Sequence, residues 1–393
     1  MAGKIGYLHE SRFKARDIDS RLIVFVLLLS VIGVLVVHSA TANEVTQTIV
    51  STTVKQILGI AIGVIVMAIL TFIDYRKLVK YSWVFALISI ASLIYVRFFT
   101  AAIYGAHRWI YVPFFGTIQP SEFSKPAMLL FLAFVLHKIK DRIDKVYMLL
   151  LYFVCAAPIL VLVLLEPDLS TSIVLVLMII TLLYLWQLNY KWIIGVMIAL
   201  IPVVVLFFIA VYQPGQPILR RLFEEHQVYR INAFFFPEEY PAYVYQQNNS
   251  IMAIGSGGLF GKGLNTSSLE SVKNGQFLSE EQCDFIFAVV GEEMGFVGSA
   301  VVIVLILLIV FECFRVAMKC QDMVGRVIAG GAGAAIGFQS FINIAVSLLL
   351  IPNTGIPLPF VSAGMSSLLS SYILMGLVLS VGLRGRQKKR VYY

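Results

Sequence analysis

Apolar residues run along this chain in long stretches, and polar residues gather at the joints between them. A helix that crosses the hydrocarbon layer of a bilayer needs about 20 predominantly apolar residues. Ten runs meet or approach that length: 22–40, 57–73, 81–98, 122–137, 146–165, 169–187, 192–212, 294–313, 326–350 and 360–383. The pattern predicts an all-α polytopic membrane protein with ten transmembrane helices, forming a single integral-membrane domain over residues 1–393. A polar arm at 1–21 precedes the first span and a basic tail at 384–393 follows the last. The first run is long enough to span, so it reads as a span rather than a cleaved leader. The longest joint, 213–293, carries Tyr229, Phe234, Phe235, Phe236, Tyr240, Tyr243 and Tyr245. A long joint of such composition is expected to be an ordered cap rather than a slack linker.

Composition agrees. Hydrophobic residues make up 59% of the chain and charged residues 13%. The charged share is far below the roughly 25% of a soluble domain, which excludes a soluble enzyme and a disordered chain. The net charge of +8 would suggest nucleic acid on a soluble chain. Here it follows the membrane instead. With both termini cytoplasmic, 21 of the 30 Lys and Arg residues fall on the inner side, and every short inner joint is basic, as the positive-inside rule requires. The joint 213–293 then lies outside, and chemistry is expected to face outward. Cys155, Cys283, Cys313 and Cys320 form no CxxC pair, and the five histidines form no HExxH. Neither a zinc site nor a disulfide framework is indicated.

Polar groups beside the spans are the candidates for function, because the bilayer penalises them. In QPSEFSK, 119–125, Glu122 and Lys125 are three apart and share a helix face. They read either as a structural ion pair or as a polar cavity wall. In GAHRWIYV, 105–112, Arg108 beside Trp109 reads as an interfacial anchor or as a phosphate ligand. Asp168 of EPDLSTS has the position of a helix N-cap; a ligand role is the alternative. AIGSGGLFGKG, 253–263, fails the Walker pattern, leaving a hinge or a backbone anion site. In DFIFAVVGEEMGFVG, 284–298, a straight helix from Asp284 to Phe311 would run ~42 Å, longer than the hydrocarbon core. Asp284 therefore stands at or beyond the outer interface, as a helix cap or a general base, while Glu292 and Glu293 mark where the span begins. NTGIPLPFVSAGMSS, 353–367, has two prolines and two glycines between spans, which predicts a re-entrant loop lining a cavity. The small-residue run Ala329, Gly333, Gly337 reads either as packing inside the chain or as a helix face for a partner.

Taken in order, GAHRWI, QPSEFSK, EPDLSTS, YQQNNSIMAIGSGGLFGKG, DFIFAVVGEEMGFVG and NTGIPLPFVSAGMSS resemble the SEDS family, which includes RodA, FtsW and SpoVE. The likeness covers about residues 20–385. It departs where Ala363 and Met365 stand in place of the family's Tyr and Gly. The resemblance implies an inverting peptidoglycan glycosyltransferase that polymerises lipid II on the outer face of the bacterial cytoplasmic membrane and releases undecaprenyl pyrophosphate. It implies Asp284 as the catalytic base and places substrate at Arg108, Trp109, Gln119, Glu122, Lys125, Asp168, Gln246, Lys262 and Ser362. Arg108, Lys262, Arg220 and Arg221, or a divalent cation (Mg or Mn) bridging the phosphates, would meet the leaving pyrophosphate. The implied partners are a class B penicillin-binding protein, lipid II, undecaprenyl-linked glycan and other elongation or division machinery, with no nucleic acid. NTGIPLPF and the short tails lean toward the RodA-type, elongation role. A division or sporulation polymerase of the same family, a lipid II flippase and a non-catalytic scaffold are the alternatives.

Overall fold

The computed structural model describes residues 19–41, 51–100, 107–112, 116–140, 145–265 and 282–385. The arm before residue 19, the tail beyond 385 and residues 266–281 of the long joint lie outside them. The fold is mostly helical, and a helix stands at each of the ten predicted runs: α1 (Ser20–Ala40), α2 (Thr52–Phe72), then, after the short α3 (Tyr75–Lys80), α4 (Ser82–Phe99). A two-stranded hairpin, β1 (Ile110–Val112) and β2 (Gly116–Ile118), leads into α5 (Pro120–Ile139), α6 (Val146–Leu165), α7 (Leu169–Leu185) and α8 (Tyr190–Tyr212). The long joint holds α9 (Pro217–Leu222), α10 (Glu225–Phe235) and α11 (Pro241–Ser256), and α12 (Ile286–Lys319), α13 (Met323–Ser347) and α14 (Met365–Arg384) complete the bundle. Among the described residues, eight helices are long and apolar enough to cross a membrane, and α7 is apolar but shorter. Wide apolar faces point outward, as on α8 with Ile194, Ile198, Val205 and Ile209. That is the surface a lipid solvent requires.

The interior is held by polar groups as much as by apolar ones. Lys125 and Glu122 are both buried, with Nζ 2.7 Å from Oε2. Lys125 also donates to Gln339 Oε1 on α13 at 2.5 Å. Gln339 Nε2 in turn donates to Pro357 O and Ser367 Oγ, and Ser370 Oγ of α14 donates to Glu122 O. The pair therefore ties three helices and a loop together. The small residues of α13 serve the same bundle. A side chain added at Gly333 would strike Cys313 of α12, and one at Gly331 would strike Leu182 and Leu129. Ala329, fully buried, and Gly333 thus belong to internal packing, because helix backbones approach closely only where side chains are small. Gly337 is half-buried, and a Cβ there would meet only Val310 at contact distance.

The glycine-rich segment after α11 is neither a hinge nor an anion loop. α12 breaks at Gly295, where φ is 65° and ψ −162°, and the segment lies against the break. Lys262 N donates to Glu292 O, Gly263 N to Glu293 O, Phe296 N to Gly258 O and Val297 N to Leu259 O. Gly257, Gly261 and Gly295 sit where backbone meets backbone and no Cβ fits. This break is what shortens the over-long helix: the arm before Gly295 carries Glu292 and Glu293, and the part after it is the span.

Two outcomes are expected. Lys125→Met leaves Glu122 buried without its cation, a loss of roughly 3–5 kcal/mol, read as a lowered Tm in detergent. The exchange Glu122→Lys with Lys125→Glu does not restore it, because the new carboxylate would face the Gln339 oxygen while Gln339 Nε2 stays committed. Full recovery on exchange would refute the role given to Gln339. In the seam, Gly261 and Gly263 both have positive φ, 80° and 90°, but only Gly261 is crowded. Gly263→Ala is expected to cost about 1 kcal/mol from backbone strain, and Gly261→Ala about 1–3 kcal/mol more from overpacking. Equal losses in thermal unfolding would show that the close approach carries no energy.

Candidate functional site

The hairpin sets the first wall. Ile110 pairs with Ile118, so Arg108 and Trp109 precede one strand while Gln119 follows the other, at the start of α5. Arg108 is locked to the turn between α6 and α7: Nε donates to Glu166 O at 2.7 Å and Nη2 donates to Pro167 O. Those bonds use one edge of the guanidinium and fix its plane. Gln227 of α10 donates to the same Pro167 oxygen at 2.8 Å, which seats α10 over the turn. The Glu166 carboxyl is fully buried there, and neither oxygen has a hydrogen-bond partner among the described residues. Burial, then the charge of Asp168, pushes its pKa up to about 9, so this acid is neutral at physiological pH and adds no charge to the turn.

The second wall is the non-helical stretch 351–364, which runs from the end of α13 back toward α14. Its backbone groups are met from all sides, as buried irregular backbone must be. Ser170 Oγ donates to Thr354 O, Gln247 Nε2 to Ile351 O, and Asn343 Nδ2 to Ile356 O. The stretch also grips the segment that carries Asp284. Asn343 Nδ2 donates to Asp284 O at 2.9 Å, Ser362 Oγ to Cys283 O at 2.6 Å, and Ala363 N to Gln282 O at 2.8 Å. Asp284 lies in the turn just before α12, partly exposed, at the edge of the bundle. Its carboxylate comes to 3.0 Å from the place where a Gly355 Cβ would stand, with the Arg230 guanidinium 3.5 Å from the same point. Gly355, at φ 64°, is thus required both by its backbone and by the acid beside it.

Between the walls lies a cavity of about 420 Å³ lined by Arg108, Trp109, Gln119, Glu122, Arg230, Gln246 and Asp284, with His226, Asn353 and Ser366. Burial pulls the Arg230 guanidinium below its ordinary value and the charge of Asp284 pushes it back; it remains a cation. Burial, with Arg108 and Arg230 close by, lowers His226 below its usual value, so its imidazole is neutral at pH 7. The cavity thus brings the Asp284 carboxylate together with the Arg108 and Arg230 guanidinium groups and several amide and hydroxyl groups.

Of the residues singled out from sequence as substrate or leaving-group contacts, Asp284, Arg108, Trp109, Gln119, Glu122 and Gln246 line this cavity, and six others do not. Lys125 lies behind Glu122, consumed by the buried pair. Asp168 caps α7 at Thr171 N and accepts from Gln119 Nε2 and Ser121 Oγ, so it orients Gln119 from behind. Lys262 is drawn away by a 2.7 Å ion pair with Glu292. Ser362 spends its hydroxyl on Cys283 O and Leu358 N. Arg220 and Arg221 are exposed on α9 and also stand outside the lining. Arg230 and His226 were not legible as site residues, although their i,i+4 spacing on a helix opened by a Glu224–Gln227 capping box was a usable signal. Gln339 and Asn343, two amides four apart inside an apolar run, were another. Among the described residues no three His, Cys, Asp or Glu side chains gather so as to hold a metal ion, and in this cavity Glu122 is already bound to Lys125. The described residues do not form a resident metal site.

Comparison with known proteins places the chain. The sequence model of the cell cycle protein family that groups FtsW, RodA and SpoVE matches residues 19–387. A probable peptidoglycan glycosyltransferase FtsW of Trichlorobacter lovleyi is 30% identical over 94% of this chain and 94% of its own length. Another with the same name, from Geobacter sp. strain M18, is 31% identical over 94% and 97%. Among solved structures, a chain from work on polymerization and crosslinking by a peptidoglycan synthase complex superposes with a TM-score of 0.73 at 24% identity, covering 93% of this chain and 97% of that one. The rod shape determining protein RodA of Thermus thermophilus gives 0.67 at 24% identity, covering 94% and 98%. At that identity the two structures speak for the fold, and the sequence matches for the lineage: the chain belongs to the FtsW/RodA/SpoVE family.

Proposed function

We propose that this protein polymerises lipid II, transferring a growing glycan from undecaprenyl pyrophosphate to the 4-OH of the incoming GlcNAc. The observation that carries the reading is Asp284, clamped through its backbone and set beside Arg230 in a polar cavity at one end of a membrane bundle. The names of the curated relatives supply the reaction class. The ten helices α1, α2, α4 to α8 and α12 to α14 are the spans, with both termini in the cytoplasm. The distribution of Lys and Arg supports this orientation. The cavity and the helices α9 to α11 then face the outer side of the cytoplasmic membrane.

In this reading Asp284 accepts the proton of the acceptor hydroxyl as its oxygen attacks the anomeric carbon. The bond to pyrophosphate breaks, and the electron pair leaves on the phosphate oxygen. Arg108 and Arg230 stabilise the charge that develops there, as fixed donors do in a site shielded from water. Glu122 serves as wall rather than acid, because its carboxylate is committed to Lys125. Lys125, Asp168 and Ser362 act by position: they fix α5, Gln119 and the Asp284 segment. A class B penicillin-binding protein is the partner this reading takes, by likeness to the chain of the synthase complex. The elongation role is supported by NTGIPLPF, against curated relatives that carry the FtsW name. Depletion in the source cell separates the two: round cells mean elongation, filaments mean division.

Purified protein with its transpeptidase partner and lipid II is expected to yield glycan strands on a gel. Asp284→Asn should keep its Tm and lose about 10²- to 10⁴-fold in polymerisation rate, the usual worth of a general base. Arg230→Gln should lose roughly 10²-fold, as for removal of one charge-stabilising donor. Wild-type rates in Asp284→Asn would return that acid to a structural cap and end the mechanism.

A further inference from the structure

A second cavity, of about 640 Å³, opens at the other end of the bundle. α5 starts at the Asp284 cavity with Glu122 and ends at this one with His137 and Lys138. α14 starts there with Ser366 and ends here with Arg384. At 1.5 Å per residue those separations are about 22 and 27 Å, nearly the thickness of the hydrocarbon core. Two helices thus place the second cavity on the opposite membrane face, independently of each other.

Its wall carries Arg76, Lys80, Lys138 and Arg384 as permanent cations and Asp322 as the acid. Asp322 is already engaged: Tyr75 OH donates to Oδ2 at 2.9 Å, and Arg76 Nε lies 3.7 Å from the same oxygen. Arg384 is braced by donation to Thr71 O and Phe72 O, which holds its guanidinium at the wall. Lys80 and Lys138 are exposed at the lip, each with Nζ 5.6 Å from an aromatic ring, Tyr81 and Phe134. The floor is apolar, made by Val79, Phe134 and Val324. Tyr81, whose ring lies near Lys80, and Trp83, two residues on, are about half exposed, as aromatics at headgroup level are.

We propose that this cavity binds the phosphate of an anionic phospholipid headgroup, with the first carbons of its chains over the apolar floor. The shared chemistry is a phosphate ester held by several cations. The lipid source is favoured because the floor is apolar and the lip is framed by interfacial aromatics, neither of which serves a free phosphate. Basic residues on an inner face ordinarily do no more than set topology. Here four of them converge on one concavity, as basic pockets between membrane helices do around lipid headgroups. The leaflet named, the cytoplasmic one, rests on the orientation proposed above; the binding does not.

Thermal unfolding of the full chain in nonionic detergent tests this, with phosphatidylglycerol, phosphatidylcholine or inorganic phosphate added. A ligand that binds only the folded state raises Tm. Phosphatidylglycerol is expected to raise Tm and phosphatidylcholine not to. Lys80→Gln with Lys138→Gln should lose that rise while keeping the Tm seen in phosphatidylcholine and the basal polymerisation rate. Lys77→Gln with Lys145→Gln, exposed on the same face but outside the lining, should keep it. Lys138→Gln alone substitutes if the double variant fails to fold, and should show a reduced rise. A rise retained in the pocket variants, or lost equally in the control pair, would overturn the site. An equal rise with inorganic phosphate would overturn the lipid as its occupant.

Discussion

The backbone of residues 351–364 runs without helix through the interior of a helical bundle, where water is not at hand to satisfy it. Each unpaired peptide group there would cost several kcal/mol in an apolar surrounding. Donors come instead from α7, α11, α13 and the segment before α12: Ser170, Gln247, Asn343, Gln339 and the Cys283 thiol, which donates to Ala363 O. Gln56 of α2 adds a bond to Ser362 O. The site follows from this constraint. The same side chains that quiet the loop also hold the Asp284 turn, so the acid is positioned by the groups that make the irregular backbone tolerable.

The buried Glu122–Lys125 pair belongs to the same arrangement. Gln339 connects Lys125 to the loop at Pro357, so the ion pair is coupled to the cavity wall through one amide. A pair of charges alone would gain little from burial, since desolvation offsets their attraction. With Lys125 also bonded to Gln339, and Gln339 to Pro357, it becomes a specific joint between α5, α13 and the loop.

Much of this was legible in the sequence. A helix stands at each of the ten apolar runs, and eight of the described helices are long and apolar enough to cross a bilayer. Glycine and proline between the last two spans announced non-helical backbone, and Asp284 stood out as an acid ahead of an apolar segment. What was not legible depended on distance across the fold. Lys262 looked available for an anion until Glu292, thirty residues on, proved to hold it. Arg230 was one basic residue among many, since nothing local says that α10 folds back over the 166–168 turn. Ser362 and Asp168 lay in the right motifs, but their polar atoms are engaged by backbone and neighbouring side chains behind the cavity wall. A one-dimensional reading finds which segments converge more readily than which atoms do.

The seam at Gly257, Gly261 and Gly295 bears on how tolerance to substitution is interpreted. There two stretches of main chain press together and the side chain is what must be missing. None of the three lines the cavity. A saturation screen for growth would nonetheless rank them with Asp284, since any Cβ forces the broken helix from its neighbour. Sites scored as indispensable in this protein therefore fall into two kinds, those that supply an atom to chemistry and those that supply empty space. Only the first kind changes rate while leaving the amount of folded protein unaltered.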